Sequence, residues 1–530
     1  MLKKMVGRIA TVALAAVCAL SVSACAPRDS GNSGDGNNEP VDVRDTLESC
    51  TVNILFAVQE TPYDADAVER AVNNQLKKDG KPYEVHFEYT AHNNYSVTIG
   101  DYCKQGYDGA WSHVTNIQSL ISQEIIKTNL GPYLDVWGQD IKADVKDYQF
   151  AQFTDIGTGN IYAIPRDMPT ADDRARVTIR ADWMEQAGLD SVKSVAELDD
   201  YLSYCQEANS GTDGFYALML GEQNAHLLRE YCPSYYFPIQ DGYYSIYIDI
   251  NDPTYTVKSM YTTEAFSAWV AKAKEYVLNG YVSTQNISST ENYFYNGLSA
   301  ALPSYSVVKM SERVDAFKQA NPEGELYEVF FESENNKKVV FFGADNCMVA
   351  LSQSKHTEEF IDFLNWTKDQ DNHDLVCFGV EGTNYYLTDD GRFSYVNPDN
   401  ESETIPVSKR YAIYNPYYAF NDIDYLRFSA NLSDEYVDSV VNCQKNDESG
   451  NPENYILSPL CGFNVQETEA YKTAHTKVTN AIAAFTGLTN GKGELSEIAG
   501  LIASAQAAGI DELIAEVQRQ VNEYLQLKNG

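Results

Sequence analysis

Hydrophobic positions along the chain change their period several times, and each change predicts an element. Ile9 to Leu20 is an almost unbroken apolar run behind Lys3, Lys4 and Arg8, and it closes on Val22-Ser23-Ala24-Cys25. Basic start, short apolar core and small residues before a cysteine follow the order of a secretory signal ending at a lipidation site. The run is too short to span a bilayer comfortably. Residues 1–24 therefore read as a signal peptide, and Cys25 as the lipidated first residue of the mature chain. Ala26 to Pro40 is Ser, Gly, Asn, Asp and Pro with hardly an apolar side chain, too little to offset the entropy of ordering. Residues 25–48 read as lipidated Cys and flexible tether, which places the folded body outside the cytoplasm, on the membrane.

The body opens with Val52 to Val58, whose continuous apolar character predicts a buried strand. Asp66 to Lys78 carries Ala67, Val68, Ala71, Val72 and Leu76 at helical spacing, and Tyr83 to Tyr89 alternates. Strand, helix and strand in that order predict a right-handed crossover and a mainly parallel sheet covered by helices. The same grammar returns later. Ser194 and Glu197 predict a capping box ahead of Leu198, Leu202 and Cys205, and Met348 to Leu351 reads as a strand leading to a helix capped at Thr357. Ile510, Leu513, Ile514, Val517, Val521, Tyr524 and Leu525 form one stripe, which predicts a core-packing C-terminal helix.

Charge narrows the function. The 530 residues carry 76 acidic against 39 basic side chains, a net charge of -37. Removing Lys3, Lys4 and Arg8 with the signal makes the mature protein more negative still, so nucleic acid and anionic head groups are repelled. Of ten cysteines, Cys18 and Cys25 belong to the signal and the lipid site, and the even remainder permits disulfides in an exported chain, with Cys443 and Cys461 the most plausible pair. No Cys-x-x-Cys pair or His-Glu-x-x-His set occurs, and no Gly-x-Ser-x-Gly elbow, Walker loop or dinucleotide fingerprint. A binding protein without cofactor is favoured over an enzyme, although 76 carboxylates leave a surface glycoside hydrolase open as a rival. The 38 tyrosines exceed the needs of a core, since buried hydroxyls require partners, so some should line a cleft.

Several segments, in order, resemble the bacterial extracellular solute-binding proteins of family 1, the lipoprotein receptors of ABC importers. Ile161-Tyr162-Ala163-Ile164-Pro165 is similar to the family's Tyr-Gly-Leu-Pro strand, and Ile179-Arg180-Ala181-Asp182-Trp183 through Gly188-Leu189 to its R-x-D-W-L-x-x-x-G-L helix. Gly379-Val380-Glu381-Gly382-Thr383-Asn384-Tyr385 resembles the G-x-E-G-x-x-Y turn of the LipO-like branch. Gly462-Phe463-Asn464 and Ala508 to Gln520 resemble that branch's C-terminal domain of unknown function. Ala163 and Met184 depart from the pattern conservatively, and the calcium loops of some relatives are missing, so no metal is expected.

The resemblance implies a two-lobed α/β fold of the periplasmic-binding-protein type II class, each lobe a mainly parallel sheet flanked by helices, with extra C-terminal helices. It divides the chain into an N-terminal lobe of 49–165 plus about 340–377 and a C-terminal lobe of 166–339 plus about 378–530, the last including a helical region at about 462–530. Arg180 and Trp183 are assigned to structure. A solute held between such lobes meets the carboxyl ends of strands, which selects Gln59 and Glu60 after the first strand and Trp111 and His113 after the turn at Asp108-Gly109. It also selects Tyr305 after Ala300 to Leu302, and Glu381, Asn384 and Tyr385 in the glycine turn; Tyr236 is an opposing aromatic. Aromatic planes with amide and carboxylate acceptors suit a sugar. The expectation is a monomeric receptor for a small solute, most simply an oligosaccharide or sugar derivative, which delivers it to permease subunits. A peptide solute is the alternative.

Overall fold

The computed structural model describes residues 43–529 apart from 59–60, 92–94, 167–175, 221–226, 228–230, 232–235, 240–245, 284, 286, 288, 305–306, 331–337, 341–343, 345, 412–424, 426 and 439–454. The signal, Cys25 and the tether before residue 43 lie outside the described residues, as do Gln59, Glu60 and Tyr305.

The expected strand, helix and strand form where the periodicity places them. Strand β1 (Thr51–Val58), the helix Ala65–Lys78 and strand β2 (Glu84–Ala91) build a parallel pair in register from Thr51 and Glu84 to Val58 and Ala91. Val68, Val72 and Leu76, spaced by four, are buried from that helix, because its apolar stripe covers the sheet. Strand β3 (Gly109–His113) joins β1 on its other side, also parallel. Two strands finish the first sheet: β4 (Ile164–Pro165), and β12 (Asn346–Ala350), which is inserted antiparallel between β3 and β4. The helix Thr357–Trp366 packs behind this sheet so closely that a Cβ on Gly109 would lie 2.0 Å from the Phe360 ring. Only glycine fits there.

A second sheet has the order β10 (Leu326–Phe330), β5 (Arg176–Arg180), β9 (Ala301–Ser304) and is antiparallel throughout, where a parallel sheet was expected. The reason is local: β9 and β10 both run against β5, since neither is reached from it by a simple strand-helix-strand crossover. A third sheet comprises β6 (Tyr236–Pro238), β7 (Ile246–Asp249) and β8 (Lys258–Ser259), and β11 (Lys338–Val340) pairs with Tyr455–Leu457. Tyr201 stitches a helix to the second sheet, its hydroxyl accepting from Arg180 N at 3.1 Å and donating to the Ala300 carbonyl at 3.0 Å.

Two hydrophobic cores result. One gathers the first sheet with Phe360, Ile361, Phe363 and Val376; the other gathers Val177, Ile179, Leu198, Phe266 and Trp269 with Val478, Leu513, Val517 and Val521 of the C-terminal helices. The helix Ile510–Asn529 buries Ile510, Leu513, Val517, Gln520 and Val521. Tyr385, Phe393 and Tyr411 pack in the first core, although a boundary at 377 assigns their segment to the second lobe. They do so because Tyr385 and Phe393 fold back against the ring of Phe378, itself part of that core.

Arg180 and Trp183 hold the structural roles expected of them. The Arg180 guanidinium grips Asp182 through two bonds of 2.8 and 2.6 Å and lies 4.4 Å over the Trp183 ring. Cys461 is a free buried thiol that donates to the Tyr148 carbonyl at 3.5 Å; its suggested partner Cys443 is outside the described residues. Among the described residues, no single helix is long and apolar enough to cross a membrane.

Candidate functional site

Because β1, β2 and β3 are parallel, Val58, Ala91 and His113 end at one edge of the first sheet. Strand β12 begins at that edge with Asn346 opposite His113, and β4 leaves it at Pro165, after which Arg166 N donates to the Asn346 carbonyl at 2.9 Å. In the second sheet Arg176 starts β5 in register with Ser304, the end of β9, and with Phe330, the end of β10. The carboxyl edge of the first sheet, where strand ends leave backbone and loops for a ligand, is the candidate site.

His113 is fixed in place by its own turn. It caps the 3-10 helix Val114–Asn116, with Nδ1 accepting from Thr115 N at 3.3 Å and lying 2.9 Å from Thr115 Oγ1. A neutral ring that accepts at Nδ1 carries its proton on Nε2.

The glycine turn sits beside the exit of β1. Asn384 is 1% exposed: its Oδ1 accepts from Val380 N at 2.8 Å, and its Nδ2 donates to the Lys409 carbonyl at 2.7 Å and to Asp64 Oδ2 at 3.1 Å. Asp64, on the path from β1 to its helix, holds a left-handed backbone with φ 56° and also accepts from Lys409 Nζ at 2.9 Å. Those bonds from Lys409 and Asn384 hold its carboxyl below the ordinary value. Asn384 is therefore committed to building the turn. Tyr385 is buried against Phe378, whereas Glu381 is exposed at the turn's tip.

Trp111 corrects an expectation. It is the middle residue of β3, not part of a loop, and is 8% exposed, paired with Met348 and edge-on to Tyr95 at 5.3 Å between ring centroids. Asp108-Gly109 is the entry to the strand; the turn signal was read as its exit. Tyr95 donates its hydroxyl to the Trp111 carbonyl, which locks the pair. Beside it, Tyr95, Ser112, Asn116 and Gln123 line a cavity of about 30 Å³, room for one water and no sugar. Tyr236 opens β6 in the third sheet.

The fold agrees with solved solute-binding proteins along most of its length. The N-glycan transport solute binding protein NgtS of Streptococcus pneumoniae, in complex with Man1GlcNAc, aligns with 90% of this chain and 100% of its own, with a TM-score of 0.62 at 14% identity. An extracellular solute-binding protein of Bifidobacterium longum subsp. infantis aligns with 92% of this chain and 100% of its own, with a TM-score of 0.60 at 12% identity. An HMO binding, ABC-transporter associated solute binding protein of Bifidobacterium longum infantis aligns with 90% and 99%, with a TM-score of 0.57 at 12% identity. The chain has the solute-binding protein fold. No protein-family model and no curated protein sequence matches it.

Within the solute-binding fold, two residues at the site had escaped the sequence reading: buried Asn346 and half-buried Arg166, which meet only when β12 returns to lie between β3 and β4. Arg166 directly follows the Ile164-Pro165 strand, a position that marks it in retrospect. Asn346 carries no local signal. Burial pushes the Cys50, Cys205 and Cys461 thiols up to about 12, which makes these three poor nucleophiles.

Proposed function

We propose that the protein is the substrate-binding subunit of an ABC importer, lipid-anchored through Cys25 on the outer face of the cytoplasmic membrane. It captures an oligosaccharide or sugar derivative between its two sheets and delivers it to permease subunits as a monomer. The observation that carries this reading is the shared fold over nine-tenths of the chain with a binding protein that holds Man1GlcNAc. The HMO binding neighbour points the same way.

In this reading His113 offers a fixed donor, Gln59, Glu60 and Glu381 offer acceptors beside the exit of β1, and Tyr236 and Tyr305 supply aromatic faces. Sugars present hydroxyls around apolar patches, and such a mixture of polar groups and rings suits both. The protein binds its solute and releases it unchanged. A thermal-shift screen of oligosaccharides and peptides tests the proposal, because a ligand specific for the folded state raises Tm. A rise with oligosaccharides only, followed by calorimetric binding and unaltered sugar on chromatography, is expected. A response to peptides alone, or cleavage of the sugar, overturns it.

A further inference from the structure

The opposite edge of the first sheet holds a cluster unrelated to the carboxyl ends of its parallel strands. Cys50 immediately precedes β1, and its carbonyl accepts from Glu84 N at 3.0 Å, so its position is set by the sheet. His356 and Glu359 stand at the start of the helix Thr357–Trp366. Ligand atoms of the three side chains all lie within 4.8 Å of one another. Thiolate, imidazole and carboxylate are the donors that zinc accepts, and they come here in the number that leaves one position of a tetrahedron open.

A second observation points to a cation. Nδ1 of His356 is buried and has no hydrogen-bond partner among the described residues. Such an unsatisfied buried nitrogen costs stability unless something satisfies it. The surroundings are also fixed as an outer shell fixes ligands. Glu359, fully buried, accepts from Arg44 at 2.8 Å and from Glu48 N at 2.6 Å. His356 N donates to Ser354 Oγ at 3.1 Å, and Ser354 in turn donates to Asp108 Oδ1 at 2.8 Å.

We infer that Cys50, His356 and Glu359 form a binding site for a divalent cation of the zinc class, with the fourth position left to solvent. Cys50 binds as the thiolate and gives its proton to water. The site has a mechanical meaning. Arg44 and Glu48 contact Glu359 from the first described stretch of the chain, so a cation here clips the start of the folded body to a core helix. Across the eight residues of β1, roughly 26 Å at 3.3 Å per residue, lies the edge assigned to the solute. Sugar affinity should therefore not depend on the metal.

The test uses the purified, reduced full-length chain, stripped with chelator and titrated with Zn²⁺ in a calorimeter, with Co²⁺ as a spectroscopic probe. One equivalent of Zn²⁺ is expected, with a raised Tm and a near-ultraviolet thiolate-to-cobalt band. Cys50→Ser and His356→Gln should each weaken Zn²⁺ binding tenfold or more, and Cys50→Ser should abolish the cobalt band. Cys461→Ser, at a buried thiol elsewhere, should change neither. If Cys50→Ser does not fold, His356→Gln decides alone, because its side chain is only partly buried. Lack of saturable Zn²⁺ binding by the parent chain, or unchanged affinity in His356→Gln, overturns the inference.

Discussion

Gln152 and Asn464 hold each other by two hydrogen bonds: Gln152 Nε2 donates to Asn464 Oδ1 at 2.7 Å, and Asn464 Nδ2 donates to the Gln152 carbonyl at 2.7 Å. Gln152 is followed by Phe153 of the first core, and Asn464 by Val465 of the second. The pair is a clasp between the two. Gln152 is buried, so Asn464→Ala leaves polar groups without this partner and should lower stability by about 1–3 kcal/mol. Urea unfolding measures the loss; an unchanged midpoint refutes the clasp.

Trp111→Ala should act on stability first. A large buried ring removed from a central strand leaves a cavity that costs about 3–5 kcal/mol. Calorimetric scanning without ligand should show a much lower Tm. A Tm within a degree or two of the parent, together with lost sugar binding, returns Trp111 to the solute.

His113→Ala separates binding from folding. Its ring caps one short, partly exposed turn, so the stability loss should stay near 1 kcal/mol, while a lost direct contact to the solute weakens affinity about tenfold, 1.4 kcal/mol. Asn384→Ala should do the reverse, destabilising the turn and leaving the residual folded protein able to bind. Titration calorimetry on both variants checks the contrast, and equal affinities for His113→Ala and the parent exclude His113 as a contact.

Glu516 gives a pH signature. Hydrogen bonds from Arg519, then from Gln520 and Thr468, hold its carboxyl down at about 2 against a burial cost. A carboxyl lowered on folding contributes stability that is fully present above its unfolded value, near 4.5, and is lost as pH falls toward 2. The parent chain should lose stability across that window faster than Glu516→Gln. Parallel stability curves for the two proteins between pH 5 and 2 contradict the assignment.

Cys25→Ala tests the anchor. Replacement should release the protein from the membrane fraction or leave an unprocessed precursor. Processed, membrane-bound protein from both genes removes lipidation from the reading.

Elements governed by local periodicity were legible in the sequence. β1 and its helix were read within one residue of their observed ends, and of the stripe of the last helix Ile510, Leu513, Val517 and Val521 are buried while Ile514, Tyr524 and Leu525 are partly so, because 3.6 and 2.0 are properties of the chain itself; buried Gln520 was missed. The Ser194 cap forms as expected, accepting from Glu197 N at 3.2 Å, although Glu197 turns back to Lys193 N and not to Ser194. What stayed hidden depends on contacts between distant residues. Asn346 reaches the carboxyl edge of the first sheet only through the placement of β12, and Cys50 meets His356 only because the same strand leads into the helix behind β1. Trp111 was misplaced because one turn signal serves equally for the end of one strand and the start of another.

The insertion of β12 between β3 and β4 also fixes an order of events. A chain synthesised from its N-terminus presents β1 through β4 first, yet β3 and β4 share no bonds until residues 346–350 arrive to join them. The first sheet therefore waits for the whole of the second to emerge. The first sheet is no early, self-sufficient foldon, and its long-range pairing makes folding slow. Truncations before residue 350 should yield aggregation-prone fragments with an unpaired β3 edge.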